Sequence, residues 1–294
     1  MKTKIENLTE AYQLLIAKIA VIAIILTITL IFTSCSKDDD VQKQIPEVDT
    51  QTTKDETVAQ SEFDEVIVIS EEAIDSAETV TGEITSLSIA QCAVVTIDTN
   101  ANHIVIDFGD SGCVGIDGLT RSGKIEINYV GYYREPGSAV SIELNDYTVE
   151  GVAVSGQVSY VTVERNSEGN LEFTTSVTNG LITYPDGNYI RWNSTKTRTW
   201  LSGELTGELF DDTFQITGTS TGTNSNGVNF TTEITSPITI KTACWNENVF
   251  YPVSGIKMVV PEHLATRSID YGNGTCDKDV TLSVGGYEYH VVLP

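Results

Sequence analysis

The sequence predicts an all-β fold, an antiparallel meander with a short helix near its N-terminus. From about residue 80 onward apolar and polar residues alternate with period two, turn-forming residues recur, and no long helical pattern separates the alternating segments. Parallel strands need crossover connections, which are usually helices, so this pattern argues against doubly wound nucleotide-binding folds. A sandwich, a closed barrel and a long curved sheet all fit the pattern.

The chain begins with the layout of an export signal. Residues 19–32 are predominantly apolar and are preceded by Lys2, Lys4 and Lys18. An apolar run of 14 residues is short for a membrane span, because a hydrocarbon core about 30 Å thick needs about 20. We therefore expect residues 1–34 to be a cleaved signal peptide, with an uncleaved transmembrane anchor as the alternative.

Cys35 is the predicted lipidation site. Cleavage before Cys35 would free an amine and a thiol for acylation, and several acyl chains hold a protein at a membrane more firmly than one chain. The segment 32–35, Phe-Thr-Ser-Cys, resembles the loose lipobox of Bacteroidota lipoproteins, although Phe32 stands where that motif usually has Leu. The following segment resembles the acidic export signal of their surface lipoproteins and consists of Ser36, Lys37, Asp38, Asp39 and Asp40.

This resemblance covers about 40 residues and implies a cellular location rather than an activity. It implies a cell-surface protein on the outer face of the outer membrane, with that membrane as its partner through the acyl chains on Cys35. If the acidic run 38–40 is only a solvated charge cluster, the lipoprotein faces the periplasm instead.

The charge distribution excludes nucleic acid as a partner and predicts a flexible tether. The chain carries 41 acidic against 17 basic residues, a formal charge of −24, so phosphate backbones are repelled. Acidic and polar residues dominate 35–60, with few large apolar groups whose burial could offset the entropy of ordering. We expect this segment to be an acidic flexible tether.

A helix is predicted over residues 61–79, directly after the tether. The apolar residues repeat at intervals of three and four, as on one face of an amphipathic helix. They are Phe63, Val66, Ile67, Ile74 and Ala77. The β-branched run 66–69 would fit a strand instead.

Residues 80–294 form the predicted all-β domain. Alternating segments are found at 124–129, 140–144, 158–163, 214–217 and 230–234. Turn signals are found at 135–137, 166–170, 185–188, 211–212, 224–227 and 285–286. Two similar stretches ending in cysteine, 106–113 and 269–276, suggest that related units bracket the sheet.

The remaining cysteines predict two disulfide bonds. In an oxidising compartment four cysteines allow three pairings. Pairing Cys92 with Cys113 and Cys244 with Cys276 closes two local loops, and we expect this pairing. Zinc is disfavoured, since the chain has no CxxC pair and no His at ligand spacing from a Cys.

No residue pattern identifies a catalytic or cofactor site. The tetrapeptide 109–112, Gly-Asp-Ser-Gly, matches the nucleophile segment of chymotrypsin-like proteases, but no suitably placed His precedes it, so we interpret it as a turn. A calcium loop is the one metal candidate, because oxygen ligands cluster on a glycine-bearing segment. Its residues are Asp270, Asn273, Asp277 and Asp279.

Aromatic residues are the candidates for contact with sugars. Their flat faces can stack on sugar rings, although packing across strands explains them equally well. The candidates are Tyr189, Trp192, Trp200 and Trp245.

The function expected from the sequence is a lipid-anchored surface protein that binds or has a structural role in the envelope without catalysis. Its expected partners are polysaccharide or another envelope protein. Two alternatives remain: a glycan-active hydrolase that uses two carboxylates, and an assembly component that pairs through exposed sheet edges.

Overall fold

The computed structural model describes residues 50–292 except 78–82, 85–86, 88–89, 116–117, 133–134, 163–164, 207–210, 248 and 250. The predicted signal peptide, Cys35 and the export signal lie outside these residues. Within the described part, no helix has the length and hydrophobicity to cross a membrane.

The described elements are one long helix, one short 3-10 helix at Thr242–Glu247 and fifteen strands. The helix, α1, is Gln51–Ala77. The first strands are β1 Glu83–Ile84, β2 Val94–Asp98, β3 His103–Asp107, β4 Cys113–Val114 and β5 Thr120–Val130. The middle strands are β6 Ala139–Val149, β7 Val152–Thr162, β8 Leu171–Thr183, β9 Tyr189–Ser202 and β10 Thr213–Thr223. The last strands are β11 Asn229–Lys241, β12 Ser254–Pro261, β13 Arg267–Asn273, β14 Asp279–Val284 and β15 Tyr287–Val292.

The strands form a single antiparallel sheet that does not close. They pair in chain order from β1 to β15, and only the short β4 lies off this path, where it pairs with β5. The prediction of an all-β antiparallel meander is confirmed, and of the three architectures left open the structure is an open sheet. The predicted turns lie in connections between strands, as expected for residues that allow tight chain reversal.

Helix α1 begins ten residues earlier than predicted. The sequence assigned residues 51–60 to the flexible tether, but these residues are helical and Thr52, Asp55, Glu56 and Ala59 are buried. The tether prediction is therefore wrong for 51–60. Composition misled it because the burial of these polar side chains depends on partners far away in the sequence.

The sheet curls around α1. Of the 27 helix residues only Asp75 is exposed, whereas a helix lying on a flat sheet keeps one side in solvent. Side chains that contact α1 come from strands as far apart as β5 and β13, which would lie about 38 Å from each other in a flat sheet. We call the side of the sheet that faces α1 the inner face and the opposite side the outer face.

The main hydrophobic core fills the space between α1 and the inner face. Its centre includes Phe63 of α1, which stacks on Trp192 of β9 with ring centroids 5.6 Å apart and planes 11° apart. Both side chains are almost completely buried. The apolar stripe that predicted the helix is therefore the stripe that fixes it to the sheet.

Both predicted disulfide bonds are confirmed. Cys92 bonds Cys113, and Cys244 bonds Cys276. In the chain-entropy model, loops of this length give about 3 kcal/mol of stabilisation each. The second bond belongs to a small separate core with Val249 and Val253.

The two similar cysteine-ended stretches also adopt similar local structure. In the first, Asp107 Oδ1 accepts a hydrogen bond from Gly109 N at 2.8 Å, and in the second Asp270 Oδ1 accepts one from Gly272 N at 2.9 Å. The strands concerned, β3 and β13, are each third from an edge of the described sheet. The two stretches thus bracket the sheet.

Candidate functional site

Ion pairs join acidic residues of α1 to basic residues on the inner face. Each pair brings a helix carboxylate within 4 Å of a strand cation. The pairs are Glu65 with Arg121 at 2.6 Å, Asp64 with Lys196 at 3.5 Å, Glu71 with Arg198 at 2.7 Å and Glu56 with Lys257 at 2.7 Å. Four of the eight acidic residues of α1 are paired in this way.

The pair formed by Glu56 and Lys257 is the most deeply buried of these. Their side chains are 1% and 6% exposed, and Gln60 Oε1 accepts a second hydrogen bond from Lys257 Nζ at 3.2 Å. Burial opposes the charged ammonium, but the adjacent Glu56 carboxylate keeps the pKa of Lys257 above its usual value. Each of these two charges is therefore stabilised by the other, because little water reaches them.

A second acidic cluster lies where α1 crosses β5 and β6. Oε2 of Glu62 is buried and has no hydrogen-bond partner among the described residues. Burial raises the pKa of Glu62 to about 8, the neighbouring Glu65 contributes to this rise, and Arg121 opposes it. Burial also raises the pKa of Tyr147 well above its ordinary value.

The two acids of this cluster resemble the acid pair of a glycosidase, but a substrate cannot reach them. A carboxyl group with a raised pKa lies near Glu65, which is paired with Arg121, and two acids in different environments are typical of glycosidases. However, Arg121 and Tyr147 are each only 1% exposed, and α1 itself provides both acids. A substrate could reach them only if the helix left the sheet, so the cluster does not support the hydrolase alternative.

Replacing Glu62 by glutamine should change how stability depends on pH. The folded-state pKa of Glu62, about 8, exceeds the ordinary value of 4.5, so the folded state binds the carboxyl proton more tightly than the unfolded state does. The stability contributed by this proton is lost as pH rises from about 4.5 to 8. The substitution changes the free energy of unfolding by a different amount at each pH. We expect the change caused by Glu62→Gln to be more stabilising at pH 8 than at pH 5 by about 2–4 kcal/mol. Urea denaturation at the two pH values measures this; equal effects at both would contradict it.

The structure does not bring the four aromatic candidates together on a sugar-binding surface. Trp192 and Trp200 belong to the core, where Trp200 Nε1 donates a hydrogen bond to Asp212 Oδ1 at 2.9 Å. The expectation of sugar stacking is wrong for these two. Tyr189 is 44% exposed and lies beneath the guanidinium of Arg191, while the side chain of Trp245 lies outside the described part.

The candidate calcium ligands act as local turn acceptors. Asn273 Oδ1 accepts a hydrogen bond from Thr275 N, and Asp277 Oδ1 accepts one from Asp279 N. Asp270 Oδ1 is occupied in the same way by Gly272 N. In the described part of the chain, no three His, Cys, Asp or Glu side chains converge as a metal site requires.

The tetrapeptide 109–112 is a turn, as predicted. Gly112 N donates a hydrogen bond to Gly109 O at 3.2 Å, and Ser111 is exposed at its tip. His103 faces Glu126 of the neighbouring strand, with 3.7 Å between Nε2 and Oε2.

The outer face carries a regular array of hydroxyl groups that we did not recognise from the sequence. One row crosses five consecutive strands through direct cross-strand pairs and consists of Ser141, Ser159, Ser176, Thr195 and Thr219. A parallel row consists of Thr174, Thr197 and Thr217. All eight are partly or fully exposed, and we call them the hydroxyl face.

The hydroxyl face is uniform in chemistry and periodic in spacing. Adjacent strands lie about 4.8 Å apart and alternate residues of one strand about 6.7 Å apart, so the longer row spans about 19 Å. Each hydroxyl can donate and accept a hydrogen bond. The alternating threonines of 195–199 and 217–223 were the sequence signal for this surface, since every second residue of a strand faces the same side.

The molecule is thus an open antiparallel sheet curled around an N-terminal helix, with an ion-paired inner face and a hydroxyl-bearing outer face. Comparison with protein-family models, with curated proteins and with solved structures gives no match.

Proposed function

We propose that this protein is a lipid-anchored module of the outer cell surface that binds polysaccharide without catalysis, through the hydroxyl face. The observation that carries the proposal is the row of five hydroxyls across β6–β10. The lipobox-like segment 32–35 and the acidic residues after it support the anchor.

The chemistry of the hydroxyl face favours a polymer of sugars over other ligands. Its eight residues carry no charge, and the acids that adjoin them on the same face, Glu143 and Glu233, lie at its border. Hydroxyls that both donate and accept hydrogen bonds complement the hydroxyl groups of a sugar, directly or through bridging water. A repeating array also suits a repeating ligand, because many weak contacts can form along one chain.

Valine substitutions test the binding surface. Thr195→Val combined with Thr197→Val removes two hydroxyls while retaining shape and β propensity, and the loss of two hydrogen bonds should weaken binding about tenfold or more. Binding of the full chain is measured on a glycan array and then by titration with the polysaccharide selected there.

Thr96→Val is the matched control, because Thr96 is an exposed threonine on β2, a strand outside the five that carry the row. It should bind like the unmodified chain. Unchanged binding by the double variant, or no polysaccharide bound by the unmodified chain, would remove the proposal.

Localisation is tested separately in the native host. Mass spectrometry should find acylated Cys35 as the first residue, and protease added to whole cells should release the protein. Protection from protease in intact cells, lost when the outer membrane is opened, would place it on the periplasmic side.

A further inference from the structure

The last strand of the sheet has an open backbone edge. β15 pairs with β14 through a two-residue turn, Gly285-Gly286, in which both φ angles are positive (59° and 84°). In such a hairpin Val284 and Tyr287 form the closing hydrogen-bonded pair, and every second residue of β15 then bonds to β14. The backbone groups of Glu288, His290 and Val292 therefore point away from β14. Among the described residues, no strand pairs with β15 on that side.

β15 also lacks most of the features that protect an edge, and Glu288 is its one acidic side chain. Proteins commonly blunt edge strands with lysine, proline or a bulge. The sequence Tyr-Glu-Tyr-His-Val-Val has neither residue, and its pairing with β14 runs without a register shift. None of its six residues is buried, and Val292 is 69% exposed.

We propose that two copies of this chain pair antiparallel through β15, about a twofold axis at Tyr289. The sheet of one copy then continues into the sheet of the other. This inference does not depend on the proposed binding of polysaccharide.

Hydrogen-bonding complementarity selects the register, because an imidazole N–H can donate to a carboxylate. In a symmetric antiparallel pair, edge-facing residues must lie opposite each other. An axis at Glu288 places two carboxylates opposite each other, and an axis at His290 places two imidazoles opposite each other. An axis at Tyr289 instead places Glu288 opposite His290 of the second copy, twice.

The side chains on the other face fit the same register. Tyr289 meets its own copy, and Tyr287 meets Val291 of the second copy, which is a favourable aromatic and β-branched pair. His290 is already oriented, because its Nδ1 lies 3.3 Å from Thr281 Oγ1.

A single cysteine tests both the pairing and the register. With the axis at Tyr289, the two copies of that residue form a non-hydrogen-bonded pair with Cα atoms about 4.5 Å apart, within the range for a disulfide. Full-chain Tyr289→Cys should therefore form a covalent dimer under oxidising conditions. Mass spectrometry should find two copies of the peptide that carries the new cysteine joined by a disulfide bond.

Glu288→Cys and His290→Cys are the matched controls. Each alone should stay unlinked, because its cysteine faces a different residue, whereas the double variant should cross-link. A second measurement uses no cysteine: Glu288→Lys should weaken the dimer about tenfold in analytical ultracentrifugation, while Asp110→Lys, the same charge change on an exposed turn, should not. A monomer at all concentrations, or cross-links only in another register, would overturn the proposal.

Discussion

Replacing Phe63 by alanine should lower the free energy of unfolding by about 3–5 kcal/mol. Phe63 is completely buried, stacks on Trp192 and lies against the backbone of the sheet at Gly180. A Cβ added to Gly180 would lie only 2.9 Å from the Phe63 ring and 2.4 Å from Trp192 O. Removal of the ring therefore leaves a cavity that the surrounding backbone keeps open.

Guanidinium denaturation followed by far-ultraviolet circular dichroism measures this effect. Leu205→Ala is the control, because Leu205 is also a large apolar residue but is 93% exposed, and its truncation should change stability by less than about 0.5 kcal/mol. Similar losses for the two variants would show that α1 is not fixed to the sheet through Phe63.

Lys257→Met should destabilise the protein by a comparable amount, about 3–5 kcal/mol. The variant leaves the carboxylate of Glu56, which is 1% exposed, without its ion-pair partner, and an uncompensated buried charge has a cost of this size.

The double variant Glu56→Gln with Lys257→Met separates the charge from the packing. It should recover most of the lost stability, because neither side chain is then charged. Lys124→Met serves as the surface control: its partner Asp107 is 2.9 Å away, but the two side chains are 44% and 35% exposed, so the loss should stay below about 1 kcal/mol. A double variant as unstable as Lys257→Met would contradict this interpretation.

Local patterns in the sequence were sufficient to predict the sheet and the two disulfide bonds. The alternation at 124–129 and 230–234 indicated strands that the structure contains, and nearby cysteines indicated both disulfide bonds. Such features depend on neighbours within a hairpin or a short loop. The signal peptide, the lipidation of Cys35 and the cell-surface address stay predictions.

Features that depend on distant partners were not predictable in this way. The first turns of α1 look like a tether because Glu56 meets its cation 201 residues later. Alternation along β9 places Trp192 and Tyr189 on opposite sides of the strand, but it does not say which side is covered by a helix. The aromatic candidates could therefore be assigned to the core or to the surface only when the position of α1 was known.

The enclosure of α1 has a consequence for biogenesis. Thr53 near the start of the helix contacts Arg267, 214 residues further along the chain. Contacts of such long range slow folding, because a large loop must close before they form. A ribosome has to complete the described strands β1–β12 and the start of β13 before helix α1 can make this contact, so the synthesis and the folding of α1 are separated in time. Helix α1 therefore reaches its native contacts only after the strands near the far end of the described sheet have been made.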